Sequence, residues 1–290
     1  MGVFLQILSY GLISGALYGL VALGLSLVFG VMNYLNVAHG ALIMLASYTV
    51  FWTCYYLKFD PFVSMILVAP TFFVIGWVLF QGLFQRLLHL GETEKLKNSL
   101  LISFGILLIC TNGATMLWTA DERAVTTPYT GAVVDLLGVR VPYIGLATIA
   151  LAIVVIFVVH LFLTRTYFGK AIRAVSQDHE AAGWMGINTK RVCLVSFALG
   201  VALAAFPGVV IALQTINPSL SLDLTNKALI VLVLAGVGSL KGVLFGGLLL
   251  GAVEAASVFL VGAAYREVVG LLLFVLVLMF RPEGLGGRKR

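Results

Sequence analysis

The first lysine or arginine in this chain is Lys58, and an apolar run, FLQILSYGLISGALYGLVALGLSLVFGVM, fills residues 4–32 ahead of it. A secretory signal has a basic start and a shorter apolar core, so the sequence predicts an uncleaved first membrane span. Similar blocks recur along all 290 residues. They fall near 4–31, 37–57, 61–84, 99–118, 142–163, 191–213, 226–240, 242–263 and 267–280. A crossing needs about 20 apolar residues, so 226–240 and 267–280 are short. One of them is expected to be re-entrant or broken, which is tolerated where backbone lines a cavity or is buried in protein. The expected fold class is all-α: one polytopic domain, 1–290, of eight or nine transmembrane helices.

Composition closes the alternatives. Hydrophobic residues make up 61% and charged ones 10%, against about 25% charged in soluble domains. The net charge of +6 then reads as loop charge that sets topology, not as a nucleic-acid footprint. With the N-terminus outside and nine crossings, the inside holds Arg86, Lys95, Lys97, Arg165, Lys170, Arg173, Lys190, Arg191, Lys241, Arg281, Arg288, Lys289 and Arg290. The outside holds Lys58, Arg123, Arg140, Lys227 and Arg266. That bias predicts a cytoplasmic C-terminus. Residues 85–98 read as a solvated inside connection. Residues 119–141 read as an outside loop with a turn and a small hairpin. Cys54, Cys110 and Cys193 lie apart in apolar segments, without metal spacing.

Chemistry is first an absence. Gly169-Lys170 is the only Gly-Lys pair, and Thr164 stands where a phosphate loop needs its first glycine. No zinc-protease motif, nucleophile elbow or carboxylate pair appears, so this is a transport chain and not an enzyme. The candidates are polar residues at membrane depth. VMNYLNVAHGALIM (31–44) brings Asn33, Asn36, His39 and Gly40 between two spans. It is either a discontinuous helix at a solute pathway or a plain turn with polar caps. A second break, QTINPSLSLDLTNKAL (214–229), is marked by Asn217-Pro218, with Asp223 or Thr225 as caps of the next helix. The two breaks sit early in each half, as in transporters built from inverted repeats. Glu254 is the acidic residue well inside a span, either a structural hydrogen-bond partner or a solute or proton contact. Gly11, Gly15 and Gly19, and Gly242, Gly246, Gly247 and Gly251, suit close helix packing or a narrow pore. In 165–190, apolar Ala171, Ile172, Val175, Ala182 and Met185 recur at helical spacing, with Arg173, Gln177, Asp178 and Glu180 elsewhere. This reads as one short amphipathic helix capped near Gly186, lying on the membrane or docking into a cytoplasmic partner.

NVAHGALIMLASY, RAVSQDHEAAGWMGINTKRV, INPSLSLDLTNKALIVLVLAGVGSLKGVLFGGLLLGAVEA and GLLLFVLVLMFRPEGLGG together resemble the LivH-type permeases of branched-chain amino acid ABC importers. The four motifs keep the family's order from about residue 10 to 286. The resemblance implies a bacterial inner-membrane subunit working by alternating access. It implies a second, LivM-like permease, two ATPase subunits (LivG-like and LivF-like) that carry ATP and Mg²⁺, and a periplasmic solute-binding protein. This chain would bind no cofactor itself. Residues 165–190 resemble the coupling loop. Glu180-Ala181-Ala182 with Gly186 matches the start of the broader EAA…G motif, although its trailing Ile-x-Leu-Pro is absent. The resemblance places Arg173, Asp178, Glu180, Ala181, Ala182 and Gly186 at the ATPase contact. Asn33, Asn36, His39, Gly40, Asn217 and Glu254 are the pathway candidates. Leucine, isoleucine and valine suit an apolar path, while LivH-like permeases also serve urea, short amides and aromatic acids. The rival readings are an aquaglyceroporin-like channel, since Asn36-Val-Ala and Asn217-Pro-Ser echo half-helix motifs, and a proton-coupled transporter using His39 or Glu254.

Overall fold

The computed structural model describes residues 2–136, 138–236, 238–281, 284 and 286. Arg288, Lys289 and Arg290, expected on the inner side, lie outside the described residues. Twelve α-helices follow in chain order. They are α1 (Gly2–Met32), α2 (His39–Leu57), α3 (Pro61–Leu79), α4 (Glu92–Trp118), α5 (Tyr143–Arg165), α6 (Tyr167–Gln177), α7 (His179–Trp184), α8 (Thr189–Ala202), α9 (Ala205–Ala212), α10 (Leu220–Ala235), α11 (Leu240–Leu260) and α12 (Arg266–Phe280). Among the described residues, eight helical stretches are long and apolar enough to span a bilayer. α10 has 16 residues, or about 24 Å at 1.5 Å per residue. It starts and ends several residues before the expected 226–240 and falls short of a full crossing.

α1 and α11 form the spine, and glycine makes it possible. A Cβ on Gly15 would lie 2.6 Å from Leu248 Cα, and one on Gly247 would lie 2.6 Å from Gly15 O and Gly19 N. The two backbones touch, as small residues allow in membranes. Packing, not a pore, is what these glycines serve. α2, α5, α8 and α10 pack around α1, and α3 lies against α8 and α9.

The connections gather at two ends. The hairpin end carries β1 (Val133–Leu136) paired antiparallel with β2 (Val139–Pro142), as the alternation in 119–141 predicts. There Tyr129 Oη donates to Asp60 at 2.8 Å, Arg123 and Ile216 exchange backbone hydrogen bonds, and Gln6 bonds the backbone of Arg140. Burial, followed by the hydrogen bond to Asp60, pushes the Tyr129 hydroxyl above the ordinary tyrosine range. The elbow end carries α6 and α7, where Asn33 Nδ2 donates to Glu92 at 3.0 Å.

Two expectations need correction here. Residues 85–98 are not an open connection: helical turns run from α3 to His89, and α4 starts at Glu92. Gly91 takes an extended N-cap conformation, and Glu92 and Glu94 suit the positive end of the helix. Residues 191–213 form the expected span, Thr189–Ala212, with a turn at Leu203 and Ala204 between α8 and α9. Lys227 is not an outside loop charge but sits inside α10.

Candidate functional site

α1 runs on to Met32, and Asn33 closes it with a left-handed φ of 55°. The chain then turns back along α1 without helix, and α2 begins only at His39. His39 Nε2 lies 3.0 Å from Val21 O, more than two turns before the end of α1. The stretch 34–38 therefore re-enters the bundle as non-helical backbone closed by a turn at Val37 and Ala38, and α2 starts at membrane depth. This is the discontinuous helix, not a surface turn.

Non-helical backbone is tolerated at that depth only if its polar groups find partners. Two serines of α4 and one threonine of α10 supply them. Leu35 N donates to Ser99 Oγ at 3.1 Å. Ser103 Oγ accepts from Val37 N at 3.0 Å and lies 3.1 Å from Leu35 O. Thr225 Oγ1 accepts from Gly40 N at 3.0 Å and donates to Val37 O at 2.8 Å. Gly40 is required there, because a Cβ would collide with Ser221 O and Thr225. Asn36 is the exception. It is 1% exposed, and neither Oδ1 nor Nδ2 has a partner. His39 Nδ1 is likewise unpartnered.

The other pathway candidates lie elsewhere. Asn33 is at the elbow end, bonded to Glu92. Asn217 is at the hairpin end, where its Oδ1 accepts from Leu220 N at 3.1 Å and Ser219 Oγ at 2.7 Å. Asn217 thus caps α10, and neither Asp223 nor Thr225 does, since the helix starts before them. Glu254 is fully buried in a separate network. It bonds Lys227, accepts from Tyr18 Oη at 2.7 Å and from Arg266 Nε at 2.9 Å, and Arg266 Nη2 also reaches Tyr18. A buried carboxylate with two cations and a phenol is paired on every side, which favours the structural reading. Lys227, Arg266, Tyr18, Ser99 and Ser103 were not singled out as partners, because pairing across helices leaves no local signal.

The elbow is two helices, not one. Asp178 adopts φ −155° and ψ 116°, ending α6. Its Oδ1 then accepts from Glu180 N and Ala181 N, both at 2.9 Å, and so caps α7. Asp178 spends its carboxylate within the elbow. Ala182 is buried, Ala181 half-buried and Glu180 exposed. Gly186, at φ +81°, ends α7, with Ile187 N donating back to Ala182 O at 3.1 Å. Trp184 and Met185 stand out at the tip, 83% and 84% exposed. Beside the elbow, His179 Nε2 is 3.3 Å from Cys193 Sγ. Burial, with Lys95 nearby, holds its imidazole below the usual histidine pKa. Arg173, on α6, lines a cavity against α1 and α5 rather than the tip. Among the described residues no cluster of metal-ligating side chains occurs.

Comparison with known proteins agrees with this architecture. Residues 7–278 match the family model described as branched-chain amino acid transport system, permease component. The chain is 32% identical to the high-affinity branched-chain amino acid permease protein BraD of Pseudomonas aeruginosa, over 98% of this chain and 96% of that one. It is 30% identical to LivH of Escherichia coli, with the same coverage. A probable LivM permease of Methanocaldococcus jannaschii is 27% identical over 64% of this chain and 57% of its own length. No solved structure matches. A discontinuous second span, a glycine-packed spine and a capped elbow thus sit within a full-length family match: the chain belongs to the permease components of branched-chain amino acid transport systems.

Proposed function

We propose that this chain is the membrane-spanning permease subunit of an ATP-binding-cassette importer for leucine, isoleucine, valine or closely related solutes. Lys and Arg concentrate at the elbow end, which supports a cytoplasmic elbow end and an outside N-terminus. The membrane is then the bacterial inner membrane. A LivM-like second permease completes the path. LivG-like and LivF-like ATPases bind ATP and Mg²⁺ and dock below, and a solute-binding protein delivers cargo to the hairpin end. This chain binds neither nucleotide nor metal. The solute crosses beside the α2 discontinuity, where Asn36 and His39 are the gate candidates and Gly40 sets the close approach to α10.

The protruding elbow carries this reading. A short helix capped at both ends by Asp178 and Gly186 presents Trp184 and Met185 to solvent. Large apolar side chains held out on a rigid tip suit a groove in a second protein. Glu180, with Ala181 and Ala182 behind it, completes that contact, and Asp178 and Gly186 shape it. Reconstitution of the chain with its companion subunits in liposomes tests this. L-leucine uptake is expected to require ATP and the ATPase subunits. The double variant Trp184→Ala, Met185→Ala is expected to lose ATPase co-purification and uptake. Uptake by this chain alone, without ATP, would overturn the reading.

A further inference from the structure

A cavity of about 270 Å³ lies at the elbow end between α1, α5, α6 and the turn before α11. It is just below the range of about 300–1,000 Å³ of small-molecule pockets, so it suits a small group. Its polar lining is made of donors. Arg173 makes no ion pair or side-chain hydrogen bond among the described residues, and the His160 ring makes none either. Ser239 Oγ already accepts from Gly242 N at 3.1 Å, so its own proton is free to donate. Ser26 is 1% exposed and lines the same cavity, and its Oγ has no partner. A buried hydroxyl left unsatisfied costs about 1–3 kcal/mol, so its presence points to an occupant that accepts hydrogen bonds. Leu27 and Leu163 supply apolar wall. Among the described residues no carboxylate lines the cavity.

From this we propose an oxyanion site, filled by the phosphodiester of an anionic phospholipid. Arg173 would grip two phosphate oxygens, while Ser26, Ser239 and the His160 N–H donate to the same group. The location selects lipid over a free anion. α5 exposes Ile153, Val154, Phe157, Val158 and Leu161 along its outer face, a surface for hydrocarbon. The cavity lies at the end of that face, with His160 and Thr164 of α5 in its wall. Basic pockets between membrane helices at that level bind anionic headgroups. Because α6 forms one wall and α1 and α5 the others, the lipid fastens the elbow to the membrane core.

The test is a thermal-shift titration of the full-length chain, purified in neutral detergent with its accompanying subunits. Dioleoylphosphatidylglycerol is expected to raise the Tm saturably, and dioleoylphosphatidylcholine or inorganic phosphate is not. Arg173→Gln should raise the half-saturating phosphatidylglycerol concentration about tenfold or more, as for loss of a charge-assisted hydrogen bond. Ser26→Ala should weaken the same response while leaving the Tm in phosphatidylcholine equal or higher, because the orphan hydroxyl is gone. That pairing separates ligand loss from misfolding. An equal response to both lipids, an unchanged response in Arg173→Gln, or a phosphate effect as large as the lipid's would overturn the proposal.

Discussion

The two breaks in this chain look alike in sequence and are built in opposite ways. In the first, residues 34–38, the backbone is served by other helices, through Ser99, Ser103 and Thr225, and the Asn36 side chain is left with nothing. In the second, residues 213–219, the backbone pairs with Arg123 in the loop after α4, and the Asn217 side chain is consumed as the cap of α10. One asparagine is idle and buried; the other is occupied and closes its own turn. A polar side chain that stabilises nothing in the fold is the one with chemistry to spare. We therefore propose the first break as the working element and the second as its frame.

The junction where the two breaks meet offers the strongest way to break this comparison. Gly40 packs without clearance on Ser221 O and Thr225 of α10. Gly40→Ala must push α2 from α10, at about 1–3 kcal/mol for overpacking, and a Tm drop of the purified chain checks it. Uptake should fall with it, because Thr225 then loses Gly40 N. Thr225→Val is the next largest. It keeps the shape but strips one acceptor and one donor from the re-entrant backbone, leaving Gly40 N and Val37 O unpaired. About 1–2 kcal/mol is expected, read as a lower Tm and faster amide exchange at residues 37–41. An unchanged exchange rate there would mean that the first break is held by something other than α10.

How much of this was readable in advance follows the range of each interaction. The spans, the hairpin in 119–141 and the discontinuity at 31–44 rest on local patterns, and the structure has them. The glycine spine was legible as spacing, yet only the fold pairs Gly15 with Gly247. The single helix expected in 165–190 failed at one residue, Asp178, whose carboxylate satisfies two backbone donors better by starting α7 than by continuing α6. Of the pathway candidates, Asn36, His39 and Gly40 come together. Asn33, Asn217 and Glu254 do not: Asn33 and Glu254 have partners that chain order hides, and Asn217 is taken up by its own turn. Met185 falls on the apolar face expected in 165–190, and it stands exposed beside Trp184 at the end of the six-residue α7.

The second break supplies the third prediction. Asn217→Ala removes the side-chain cap from Leu220 N, worth about 1 kcal/mol at a typical N-cap. The effect should appear as a modest Tm loss with solute uptake per folded transporter retained, measured in vesicles normalised for protein. A loss of uptake at full stability would put Asn217 in the path and erase the distinction between the two breaks.

Asn36→Leu is the smallest effect on the fold and the sharpest on the comparison. Leucine is close to asparagine in size and carries no polar atom. Asn36 Oδ1 and Nδ2 are buried without partners, so replacing them removes a desolvation cost rather than a bond. The Tm should stay level or rise. If the side chain is held in reserve for the other conformation of the transport cycle, or for the solute, uptake should fall by tenfold or more, roughly the worth of one buried hydrogen bond to a charged group. Stability and activity then move in opposite directions at Asn36 and together at Gly40 and Thr225. A leucine variant that is both stable and fully active would leave Asn36 as an unrewarded polar group in the core, and the gate would have to be sought at His39 alone.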